Sequence, residues 1–304
     1  MTDMLSLRTG TPAPARAPAH LRTRSEDRAF CTRTARHAVA SLHAELALYP
    51  KPGLVSLVDS GSHTDMDATT FVRSLFSLRH YFARICRAGI DNAPFTALKR
   101  LGLEAEQRML RATCGVNTHR GAIFSLGLIC AAAGRAHALG GAISAQALQA
   151  HLLIAWGEAL GAHTIQNDDH SHGQAAALQH GASGAREEAA LGLPSVFHVG
   201  LGAMRRTLAG GRSMRHAGID ALFALMTHIS DTNVVHRGGP QGAALVRSEA
   251  AAFVAAGGTG APGWEADAEQ IHRRFVAHKL SPGGAADLLA ATCLVHALTR
   301  EHAQ

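Results

Sequence analysis

Lys51, His63, Asp65 and Asp67 stand within PKPGLVSLVDSGSHTDMD, residues 50–67, in a chain otherwise rich in alanine and leucine. Pro50 and Pro52 stiffen the backbone around Lys51, while Gly53 and Gly61 permit turns, so a cation is held beside a fixed main chain. Asp65 and Asp67 offer hard oxygen donors where a helix is expected to begin. Such a pair suits Mg²⁺ shared with substrate phosphates better than a metal caged wholly by protein. Either aspartate alone also suits a helix cap.

Similar mixtures recur along the chain. GVNTHRG (115–121) sets Asn117, His119 and Arg120 before a glycine and a long apolar segment. An arginine there can hold a phosphate through two hydrogen bonds, or simply lie on the surface beside an Asn/Thr cap. NDDHSHG (167–173) contains Asp168, Asp169, His170 and His172, a metal site or a solvated polar loop, without the i, i+4 histidine spacing of a zinc helix. GAREEAALGLP (184–194) carries Arg186, Glu187 and Glu188, which also reads as an ordinary charged helix start. DTNVVHRGG (231–239) carries Asp231, Asn233, His236 and Arg237, and KLSPGGAADL (279–288) carries Ser281, Gly283 and Asp287. Asp287 can equally cap the last helix.

Nearly all these segments end where a helix is expected. A helix start offers unpaired N–H groups and partial positive charge, so it favours phosphate. The apolar residues that must position them recur at helical spacing, as in Phe71, Leu75, Leu78, Phe82 and Ile85, and period-two alternation is almost absent. With alanine abundant, an all-α single domain follows, with polar glycine-containing loops gathered into one site. The pattern predicts helices over 28–48, 67–88, 94–112, 119–139, 144–161, 172–181, 195–209, 215–229, 240–256, 265–278 and 284–302. Gly257–Gly263 reads as a flexible connector within the 28–304 domain, and residues 1–27 as a mobile leader with no signal-peptide run.

Composition narrows the function. The formal charge is +6, from 29 basic and 23 acidic residues, and Arg8, Arg16, Arg22 and Arg24 fall in the leader. A mildly basic body suits an anionic small molecule, and without a Lys/Arg stripe interleaved with aromatics no nucleic-acid partner is expected. Five cysteines with no C-x-x-C indicate reduced thiols in a cytoplasmic protein and argue against thiolate-bound zinc. The apolar run Gly121–Gly134 is shorter than a membrane span, which predicts a buried helix and no membrane association.

From about Ala35 to Leu298 the chain resembles the 2-(5''-triphosphoribosyl)-3'-dephospho-coenzyme A synthases. The landmarks are Pro50-Lys51-Pro52-Gly53-Leu54-Val55, Ser60-Gly61-Ser62-His63 with Asp65-Met66-Asp67, Asn117-Thr118-His119-Arg120-Gly121, Ser171-His172-Gly173, Asp231-Thr232-Asn233, and Leu280-Ser281-Pro282-Gly283-Gly284 with Asp287. Ser56 stands where the citrate lyase branch has aspartate, which makes the chain more similar to the malonate decarboxylase branch. Glu188 stands for the glutamate of the family's R-G-E, here Arg186-Glu187-Glu188.

The resemblance implies an all-α enzyme that transfers the triphosphoribosyl group of ATP to 3'-dephospho-CoA and releases adenine. Its product is the prosthetic-group precursor of an acyl-carrier subunit, attached by another transferase. In that reading Asp65 and Asp67 hold Mg²⁺, and Lys51 and Arg120 meet phosphate. Gly53, His63, Asn117, Asn233, Ser281, Gly283 and Asp287 bind the substrates. Glu188, Asp231, His119 and His172 do the chemistry. A metal-dependent hydrolase of a ribosyl or phosphate ester bond and a non-catalytic nucleotide- or CoA-binding protein are the rival readings.

Overall fold

A computed structural model describes residues 23–165 and 185–301. Among the described residues there is no strand. The order is α1 (Arg24–Ala47), α2 (Ala68–Ser77), α3 (Arg79–Ile90), α4 (Phe95–Ala112), α5 (Arg120–Ala138), α6 (Ala145–Ile165) and α7 (Ala185–Ala190). A π-helical turn (Ser195–Gly200) leads into α8 (Leu201–Ala209). Then come α9 (Met214–His228), α10 (Thr232–Ala255), a 3₁₀ turn (Gly258–Gly260), α11 (Trp264–Ala277) and α12 (Gly283–Glu301).

The all-α expectation holds, with instructive differences at the element ends. α1 starts at Arg24, inside the expected leader, because Thr23 and Glu26 form a capping box: Thr23 Oγ1 accepts the Glu26 N–H, and Glu26 Oε2 accepts the Thr23 N–H. The helix expected over 67–88 breaks at Leu78. Its apolar spacing runs unbroken across the break, and Leu78 is fully buried, so periodicity carries no mark of the interruption. α10 begins eight residues before the expected 240. Gly239, at φ 60° and ψ −164°, puts a kink before Pro240, and the chain is helical on both sides. The helix expected over 172–181 lies outside the described residues.

Gly257–Gly263 is anchored rather than loose. The Thr259 N–H and hydroxyl donate to the two Asp220 carboxylate oxygens, both at 2.8 Å, and Arg212 donates to the same hydroxyl at 2.9 Å. At the centre, α5 packs against α3, α12, α6, α1 and α4. Ile123, Leu126, Ile129 and the run Ala131–Ala133 are buried in it. By length and apolarity α5 could cross a membrane, but most of it is buried inside the fold, as a core helix is. This buried helix fixes where its own first turn lies, and it packs against α12.

Candidate active site

A cavity of about 1000 Å³ takes much of its polar wall from five sequence-remote segments: His63 and Asp65 after α1, Asn117–Gly121 at the start of α5, Arg186–Glu188 on α7, Asp231–Asn233 at the start of α10, and Ser281–Asp287 at the start of α12. Phe95, Leu98, Phe124, Leu128 and Leu193 form its apolar wall. The volume is at the upper end of small-molecule sites, about 300–1000 Å³. Three long helices open onto it by their N-terminal turns, an arrangement suited to phosphate.

Asp231 ties two of these helix starts together. Its Oδ1 accepts the Asn233 N–H at 2.9 Å, capping α10, and its Oδ2 accepts the Ala285 N–H at 3.0 Å in α12. Burial pushes this carboxyl up from its ordinary value, and the backbone N–H donors pull it back. The glycine pair of SPGG makes the approach possible. A Cβ on Gly284 would stand 3.0 Å from Asp231 Oδ2, and one on Gly283 would stand 2.9 Å from Asn233 Nδ2.

Asp287 lies against the start of α5. A Cβ on Gly121 would fall 2.2 Å from Asp287 Oδ2, so the glycine after Arg120 is the space the carboxyl occupies. Burial, with the Glu45 and Asp231 carboxylates nearby, holds Asp287 well above the usual carboxylate range, opposed by a bond from the Ala122 N–H.

His63 joins two segments. Arg237 donates to its Nδ1 at 3.0 Å, which leaves the ring proton on Nε2, donated to Ser281 Oγ at 2.8 Å. Burial and the Arg237 charge push the imidazole down. Arg237 also donates to the Ser62 carbonyl at 3.1 Å. Asn117 Oδ1 accepts the Arg120 N–H at 3.3 Å. The Arg120 guanidinium is paired with Glu106, so it reaches the cavity with its charge partly answered.

Several sequence expectations change on this geometry. Lys51 does not line the cavity: it is 1% exposed, and its Nζ donates to Glu45 Oε1 at 2.5 Å. The prolines do hold it stiffly, but turned inward. Burial pushes the Glu45 carboxyl up and the Lys51 ammonium down, and each charge limits the shift of the other. Gly53 is also away from the cavity. At φ 69°, with a Cβ position only 2.1 Å from the Leu280 carbonyl oxygen, it seats the loop against the segment before α12.

Asp67 caps α2, its Oδ1 accepting the Thr70 N–H and hydroxyl, both at 2.8 Å, and its carboxyl is not on the cavity wall. Among the described residues no group of three or more His, Cys, Asp or Glu could hold a metal. The paired-aspartate ligand set therefore reduces to Asp65, exposed on the wall and 3.5 Å from His63 Nδ1. One carboxylate still fits Mg²⁺ bound mainly through substrate phosphates. Asp67→Ala is expected to cost about 0.5–2 kcal/mol in urea unfolding and leave turnover unchanged. Asp65→Asn, which removes no cap, should leave that stability near wild type.

His119 lines the cavity but is buried. Thr118 donates to Ser74 Oγ at 2.7 Å, Ser74 Oγ and His119 Nδ1 share a hydrogen bond at 2.6 Å, and the buried Nε2 has no hydrogen-bond partner among the described residues. Burial and the Lys51 charge push the imidazole down to about 3, so it is neutral and orients rather than gives up a proton. Glu188 is held from both oxygens by Ser195, its N–H at 2.6 Å and its hydroxyl at 3.0 Å. His172 and the rest of NDDHSHG lie outside the described residues. Glu45, Glu106 and Lys99, absent from the sequence reading, also line the cavity. For Glu45 a signal existed: it shares a buried helical face with Ala38, Leu42 and Leu46, where an unpaired carboxylate has no reason to be.

Residues 31–304 match the model of the family described as ATP:dephospho-CoA triphosphoribosyl transferase. The chain belongs to that family. Among its relatives is a probable 2-(5''-triphosphoribosyl)-3'-dephosphocoenzyme-A synthase of Acinetobacter calcoaceticus, 40% identical over 255 residues, 84% of this chain and 87% of the relative. Proteins of the same name from Pseudomonas aeruginosa (strain UCBPP-PA14), 40% identical over 266 residues, and Pseudomonas fluorescens (strain Pf0-1), 37% over 277, are covered to 87% and 91% of their lengths by 84% and 87% of this chain. No solved structure matches the chain. Family membership makes the chain a transferase, as its landmark motifs implied.

Proposed function

We propose that this chain transfers the triphosphoribosyl group of ATP to a ribose hydroxyl of 3'-dephospho-CoA and releases adenine. The observation that carries the reading is the meeting of Asp231 and Asp287 with three helix N-termini on one cavity of about 1000 Å³. Breaking the bond from C1' to adenine develops positive charge on the ribose, and a carboxylate beside it lowers the barrier. Asp231, fixed by backbone donors from two helices, is that carboxylate and accepts the proton of the attacking hydroxyl. The first turns of α5, α10 and α12, with Arg120 and Arg237, hold the triphosphate; His63, Asn117, Asn233, Ser281 and Gly283 shape its seat. Mg²⁺ bound there would neutralise triphosphate charge, with Asp65 as the protein's ligand.

The product would pass to a transferase that loads an acyl-carrier subunit, in a cytoplasm that keeps the five cysteines free. Ser56 favours malonate decarboxylase as the destination. Its hydroxyl accepts the Val58 and Asp59 N–H groups and shapes the loop without lining the cavity, so the distinction marks ancestry rather than chemistry.

The test is chromatography of purified protein incubated with ATP and Mg²⁺, with and without 3'-dephospho-CoA. The expected result is free adenine and a heavier CoA species, both dependent on the acceptor. Adenine released equally without acceptor would make the protein a hydrolase.

A further inference from the structure

The departing adenine needs a proton, and neutral His119 is a poor source of one. We propose that Asp287 is the general acid that protonates adenine, with Asp231 as the carboxylate that receives the proton of the acceptor hydroxyl. This assignment rests on the transfer reaction proposed above.

Burial pushes both aspartates up, Asp287 further than Asp231, and their hydrogen-bond donors differ. Asp231 accepts backbone N–H bonds from Asn233 and Ala285 at 2.9 and 3.0 Å, an arrangement that favours the anion. Asp287 is met by one backbone donor, Ala122, and by two carboxylates, Glu45 from α1 and Asp231 from the start of α10. Of the neighbouring cations, Lys51 answers Glu45 and Arg120 is paired with Glu106. Gly121 leaves the carboxyl room on the cavity wall. Burial and these like charges hold Asp287 well above the usual carboxylate range, which favours its protonated form. A carboxyl inclined to keep its proton, near one better supplied with N–H donors, is the pattern of an acid and its complementary base.

The step balances. The C1'–N9 bond breaks with its electron pair going to adenine, and the Asp287 proton goes to a ring nitrogen of that base. The acceptor oxygen bonds to C1', and its proton goes to Asp231. Asp287 is then anionic and Asp231 protonated, and proton exchange through the cavity restores the starting state.

The test uses an ATP methylated on N7 of adenine, whose base carries a fixed positive charge and departs neutral without taking a proton. Asp287→Asn is nearly isosteric and is expected to lose about 10²–10⁴-fold in kcat with ATP, with most of that loss recovered on the methylated substrate. In the wild type the rate with ATP should fall as pH rises and Asp287 deprotonates, and that alkaline fall should disappear with the methylated substrate. This second measurement needs no variant. Equal losses on both substrates, or one alkaline fall shared by both, would overturn the assignment while leaving the transfer reaction standing. A wild type that makes no triphosphoribosyl product from ATP would remove both.

Discussion

Replacing Lys51 with methionine lowers the free energy of unfolding by about 3–5 kcal/mol, because it leaves Glu45 buried without its partner. Both side chains are at most 5% exposed and meet at 2.5 Å, so neither charge can turn to water when the other is lost. The double variant Lys51→Met with Glu45→Gln removes both charges and should return to within about 1–2 kcal/mol of wild type. Urea unfolding of the three variants, read by circular dichroism, completes the cycle. A phosphate-binding Lys51 gives another result: stability near wild type and a large rise in the KM for ATP. That outcome would restore the role its motif suggested.

Asp231→Asn should reduce turnover by about 10²–10⁴-fold, because the amide cannot accept the proton of the attacking hydroxyl. It also turns an N–H₂ towards either the Asn233 or the Ala285 N–H, which the carboxylate now satisfies together. That mismatch should cost about 1–3 kcal/mol of stability. Calorimetric titration with ATP separates the two effects, since the variant should still bind nucleotide. Turnover within a few-fold of wild type would remove Asp231 from the chemistry.

Much of this was legible in the sequence for a physical reason. Helical periodicity reports which face of a segment is buried, so helices such as α4 and α5 were found to within a residue or so. The clusters Asn117–Gly121, Asp231–Asn233 and Ser281–Asp287 could be found because a charge or an amide beside glycine at a helix start is unusual within an alanine-rich chain. Which way each side chain turns was not legible. Lys51 and Asp65 look alike as polar residues on one loop, yet one folds inward onto Glu45 and the other faces the cavity. The choice is set by Glu45, six residues earlier on α1, whose place on the buried face of that helix is the only trace of it in the spacing. Asp67 differs from Asp65 only by standing at the N-cap, where the Thr70 N–H claims its carboxylate. The Leu78 break and the Gly239 kink are not legible because apolar spacing runs through the first and Gly-Pro reads as a terminus at the second.

Hydrogen exchange with and without ATP and Mg²⁺ tests most directly whether these distant turns form one nucleotide site. The account predicts slowed exchange together in residues 62–66, 117–123, 231–237 and 281–288, with little change at the anchored turn 257–263. Protection confined to one of these segments, or appearing on a surface away from the cavity, would contradict it.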